Sequence, residues 1–129
     1  MRSLILACAL ALATPAAAKT PLRDVASVSE AIIAAGIAYE IGRVCDRIGV
    51  RWLRGINFLQ SIERHAAQLG YSDAEIDAFI NSDAERDRLE AIARARLAGK
   101  GAVMGQPATY CAVGRAEIAA GSQVGRLLR

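Results

Sequence analysis

Two cysteines set the terms on which this chain can fold. Cys45 and Cys111 stand far apart, and the third cysteine, Cys8, sits inside what reads as a removable leader. Met1 and Arg2 give a short positive start, Leu4 to Ala13 an apolar run, and Ala16-Ala17-Ala18 a small-residue cleavage pattern behind the helix-breaking Pro15. That is the three-part layout of a secretory signal peptide. Cleavage after Ala18 discards Cys8 and delivers Cys45 and Cys111 to an oxidising compartment, where such a pair closes. The bond closes a loop of about 66 residues, far wider than the Cys-x-x-Cys of a catalytic dithiol. The expectations are a structural disulfide and a periplasmic or secreted protein. The domain plan is a signal peptide over residues 1–18 and a single helical domain over residues 19–129.

What remains after the leader is roughly 111 residues, enough for one core with little to spare. The 16 Lys+Arg against 13 Asp+Glu give a formal charge of +3, and Arg2 leaves with the leader. So small an excess does not mark a nucleic-acid binder. The most apolar later stretch, Ala31 to Tyr39, is closed off by Glu30 and Glu40. A span needs about 20 apolar residues, so no transmembrane segment is expected in the mature chain. Ile5-Leu6-Ala7-Cys8 has the shape of a lipoprotein signal, but too little apolar sequence precedes the cysteine for lipidation to be preferred over ordinary cleavage.

The spacing predicts an all-α fold, a small bundle of about five helices. The first runs from about Asp24 to Val44, with Asp24 and Ser27 competing as its start and Ser27 and Glu30 at capping-box spacing. Its apolar residues form two adjoining stripes, Ile33-Ile37-Ile41-Val44 and Val25-Val28-Ile32-Ala35-Tyr39, which argue for a central helix. After Gly49 a second helix reads from about Val50 to Leu69, with Trp52, Ile56, Leu59, Ile62, Ala66 and Leu69 as its buried stripe and Gly70 as its stop. Ser72-Asp73-Ala74-Glu75 is a capping box opening a short third helix with Ile76, Phe79 and Ile80 on its apolar face. Ser82 and Glu85 repeat the spacing and open a fourth, whose Leu89, Ile92, Ala93 and Leu97 face inward and whose Glu90 and Arg94 form an exposed pair. Pro107 starts a fifth helix carrying Tyr110, Cys111, Gly114 and Ile118; the tail from Ser122 either extends it or folds back as coil.

Residues with chemical potential are few. His65 is the only histidine and has no Gly-x-Ser-x-Gly companion, so it reads as a helix residue rather than a triad member. Glu63 is a candidate general acid only by analogy with glycan-cleaving enzymes. Asp73, Glu75 and Asp77 superficially evoke a calcium loop. The sixth and twelfth positions of that loop fall on Ala78 and Ala84, where glycine and glutamate are needed, so the carboxylates read as helix-start charges. Neither a metal nor a cofactor is expected. Arg43, Arg47, Arg51 and Arg54 step by helical spacing and form a candidate docking surface for an anionic lipid, a glycan or an acidic protein, interrupted by Gly49.

The run Gly70-Tyr71-Ser72-Asp73-Ala74-Glu75-Ile76-Asp77-Ala78-Phe79, together with Cys45 and the tail Tyr110-Cys111-Ala112-Val113-Gly114-Arg115-Ala116-Glu117-Ile118, resembles domain-of-unknown-function family 5333. These are small exported proteins of Gram-negative bacteria. The resemblance implies a signal peptide, a helical domain, paired cysteines and no assigned activity. It also implies genes placed near respiratory complex I subunits. The expected function is a non-enzymatic binding, assembly or protective module of the periplasm, with a protein or another envelope component as partner. The alternatives are an accessory factor of a membrane respiratory complex and a cell-wall-acting hydrolase.

Overall fold

The computed structural model describes residues 18–129. The leader, apart from Ala18, lies outside the described residues, as does Cys8. A single 3-10 turn over Leu22–Asp24 leads into six helices: α1 (Ala26–Val44), α2 (Trp52–Gln68), α3 (Asp73–Ile80), α4 (Asp83–Gly99), α5 (Pro107–Ala120) and α6 (Gln123–Arg126). Among the described residues no strand forms, and the fold is all-α with one disulfide.

Helix α1 is the central element, as its two apolar stripes require. It packs against α2, α4, α5 and α6. Ile33, Ile37, Ala38 and Ile41 enter the main core, where they meet Leu89, Ala93 and Leu97 of α4 and Tyr110, Cys111 and Val113 of α5. A smaller core gathers Leu22, Val28, Ile62, Ala66, Tyr71 and Ile76. Ile32, Phe58 and Phe79 are half-buried and pack on both. Cys45 caps the end of α1 and is bonded to Cys111 near the start of α5, with Cα atoms 5.2 Å apart. The three candidate metal donors that cluster here are Cys45, Asp46 and Cys111. Their sulfurs are bonded to each other and carry no thiolate charge for an ion.

The local signals at α3 and α4 hold. Ser72 accepts from the Glu75 amide while Glu75 accepts from the Ser72 amide, a complete capping box, and Ser82 accepts from the Glu85 amide. The one at α1 does not. The helix starts at Ala26 behind Val25 with no side-chain cap. Ser27 pairs instead with His65 of α2 at 2.9 Å, and Glu30 with Arg96 of α4 through two bonds of 2.5 and 2.7 Å. Both side chains serve neighbouring helices, and a tertiary ion pair displaces a local cap.

The tail folds back and becomes core. Leu127 and Leu128 are 2% and 1% exposed. Two bonds between Gly49 and Arg129 and one from the Arg51 amide to the Leu127 carbonyl hold it to the α1–α2 connection. Two glycines allow this close approach. A Cβ on Gly114 would sit 2.7 Å from Ile48 Cδ1 and 2.8 Å from Ile41 Cγ2, and one on Gly125 would collide with the Glu117 backbone carbonyl. On α5 Ile118 is left 39% exposed, while Val113 and Glu117 are buried.

Glu117 links this arrangement to pH. Its carboxylate pairs with Lys100 at 2.6 Å and accepts from Ser122, which caps α6 by accepting from the Gly125 amide at 3.0 Å. Burial pushes the Glu117 carboxyl up, but the hydrogen bonds from Lys100 and Ser122 outweigh it and hold the group below its ordinary 4.5. A depressed folded-state value stabilises the protein above the unfolded-state value and loses that contribution as pH falls through the folded one. We expect denaturant midpoints to fall as pH drops below 4.5, and Glu117→Gln to flatten that dependence. Identical pH profiles for the two proteins would show that Glu117 is not the group responsible.

Candidate functional site

The arginine series is broken by the fold. Arg43 is on α1, Arg47 and Arg51 lie in the connection, and Arg54 is on α2. Arg43 is held by Glu40 of its own helix through bonds of 3.0 and 2.6 Å. Arg51 donates to the Leu128 carbonyl at 2.8 Å and Arg54 to the Arg126 carbonyl at 3.2 Å. Both therefore satisfy carbonyls at the C-terminal end of α6, where a helix leaves acceptors unpaired and attracts positive charge. Arg47 is exposed and makes no ion pair among the described residues. The residues do not form a continuous ridge: one is held by its own helix and two are drawn to the tail.

The second departure concerns α2. Of its expected buried stripe only Ile62 and Ala66 are buried. Trp52 is 63% exposed, and Ile56, Leu59 and Leu69 are all exposed as well. The physical reason is that periodicity marks a face as apolar without supplying an element to cover it. The C-terminal half of α2 sends Ile62 and Ala66 into the smaller core, whereas its N-terminal half, where Trp52 meets Tyr39 of α1, leaves Trp52, Leu53 and Ile56 exposed.

Between α2 and α4, the floor of an open groove is formed by α1. Ile32 and Gly36 of α1 form the base, Leu59 and Ile62 one wall, and Leu89 and Ala93 the other, with Phe79 and Ile80 of α3 closing one end. This inner recess has a volume of about 250 Å³. It continues past Gly36 into a wider outer space of about 570 Å³ lined by Ala35, Tyr39, Arg94 and Leu97. Leu59, Glu90 and Ala93 border both. At Gly36 an added Cβ would meet only Ala93 Cβ at 3.7 Å, so the floor is open for lack of a side chain. Of the charged groups that line the groove, Glu90 is paired with Arg94 at 2.7 Å, Arg86 with Asp83 at 3.0 Å, and the largely covered Glu85 with Arg88 at 2.8 Å and Arg23 at 3.3 Å.

Of the two residues weighed for catalysis, Glu63 edges the inner recess and is exposed, while His65 is engaged with Ser27. Sequence reasoning did not bring together Ile32, Gly36, Tyr39 and Ala93. The Ala34-Ala35-Gly36 run between Ile33 and Ile37 was the available signal: small residues on a helix face leave room for something to approach.

Among the described residues no helix is long and apolar enough to cross a membrane. Comparison with the curated proteins and with the solved structures found no significant match. The chain belongs to a family of unknown function, DUF5333, whose model matches residues 20–129.

Proposed function

We propose that this DUF5333 protein is a non-enzymatic binding module of the periplasm, and that it takes an amphipathic helix of an envelope protein into the groove between α2 and α4. The observation that carries this is the groove itself: an apolar floor on a central helix and mostly apolar walls, with Glu85 and Glu90 held in ion pairs. Such a recess is the shape of a bundle lacking one helix, and helix-in-groove binding fills it with residues at i, i+3 or i+4, and i+7. The buried disulfide supports an oxidising compartment, in line with the leader. A respiratory-complex subunit is one kind of protein that presents such a helix. The hydrolase reading has less behind it, because His65 is spent on Ser27 and the recess is walled by aliphatic side chains.

The test is a fluorescence titration with a labelled model amphipathic helix built of leucine, alanine and lysine. A Cβ at Gly36 meets only Ala93 Cβ, at an ordinary 3.7 Å, so Gly36→Leu is the substitution that puts a side chain on the floor. We expect it to weaken peptide binding at least about tenfold, near 1.4 kcal/mol, with no loss of thermal stability. Equal affinity in the wild type and Gly36→Leu, or no binding to the wild type, would overturn the groove as the site.

A further inference from the structure

The exposed start of α2 has no part in the groove. Trp52, Leu53 and Ile56 are 63%, 74% and 51% exposed and lie outside the residues lining it. Tyr39 stands edge-on to Trp52 with ring centroids 6.3 Å apart and is itself half exposed. Tyr39 borders the outer space of the groove as well, whereas Trp52, Leu53 and Ile56 turn their apolar surface to solvent. We infer that this end of the protein docks on the surface of an anionic lipid bilayer.

Charge supports that partner. The backbone pairing of Gly49 with Arg129 and the Arg54–Arg126 contact bring the C-terminus to the same end as the α1–α2 connection. Arg47, Arg51, Arg54, Arg126 and Arg129 therefore gather there, with Asp46 the one acidic side chain along these segments. The rest of the described chain holds more acids than bases. The positive excess is thus concentrated around this apolar end. Arg51 and Arg54 use one N–H each toward the tail carbonyls, and a guanidinium carries five, leaving donors for lipid phosphate. Trp and Leu on one face with Arg around it is the pattern of a peripheral interfacial anchor: rings settle at headgroup depth, aliphatic groups just below, and cations pair with phosphates. A bilayer accepts an exposed apolar end without a matching cavity; an acidic protein partner would need one.

Trp52 is the single tryptophan and reports directly on this end. The oxidised protein is mixed with vesicles of phosphatidylglycerol and phosphatidylcholine, or of phosphatidylcholine alone. We expect a blue shift of Trp52 emission and co-sedimentation with the anionic vesicles only, both reduced by salt. Leu53→Asp replaces an exposed side chain, so folding is retained, and lowers the partition at least tenfold. Gly36→Leu leaves vesicle binding unchanged, which separates this docking from the groove. Equal binding to neutral vesicles, no binding to anionic ones, or an unaltered partition in Leu53→Asp would overturn the proposal. So would an equal blue shift with soluble polyglutamate, which would point to an acidic polypeptide.

Discussion

Opening the Cys45–Cys111 bond lowers the unfolding free energy by about 4 kcal/mol. The bond spans 66 residues, and cross-linking a loop of that length removes a correspondingly large part of the unfolded chain's freedom. Domains of this size are stable by only about 5–15 kcal/mol, so the loss is a large fraction of the total. The two sulfurs are also core: Cys45 is 2% and Cys111 5% exposed, and they join the end of the central helix to the start of α5. Denaturant unfolding of the oxidised protein and of the Cys45→Ala/Cys111→Ala double variant measures the difference. A loss under about 1 kcal/mol would mean that packing alone holds α1 to α5, and that the loop-entropy account fails here.

Leu128→Ala is expected to cost about 3 kcal/mol, within the range for emptying a buried leucine site. Leu128, one residue from the end of the chain, is among the largest fully buried side chains in the protein. Its neighbours Ile41 and Ile48 already crowd against Gly114, where a single Cβ would come within 2.8 Å of them, so the site has little freedom to rearrange around a void. Leu53→Ala, the same chemical change at a 74% exposed position, serves as the control and should stay within about 0.5 kcal/mol. Similar losses at the two positions would show that the tail does not pack as described. The disulfide and Leu128 belong to the same core cluster. Removing both is therefore expected to give a non-additive result, since neighbouring sites share the same relaxation.

Local chemistry carried much of this fold. The box at Ser72 and Glu75 closes within four residues, and the pattern at Ser82 and Glu85 likewise needs nothing from elsewhere in the chain. The breadth of the apolar face on α1 was enough to place it centrally, because an element apolar on several sides has to be covered on several sides. The candidate site was much less legible. Trp52, Ile56 and Leu59 have the spacing of buried residues and are exposed. Ser27 and Glu30 have the spacing of a cap and bind α2 and α4 instead. In each case the sequence states what a side chain prefers, and the partner that decides the outcome lies tens of residues away.

The sequence by itself determined the helical class, the main breaks between helices and the two cysteines available to pair. All three follow from short-range rules of spacing, capping and turn residues. The tertiary structure alone decided that the tail is core, that Arg51 and Arg54 serve its carbonyls, and that the start of α2 is left uncovered beside an open groove. Those outcomes depend on which elements meet, and pattern along a chain encodes a face without encoding what lies opposite it.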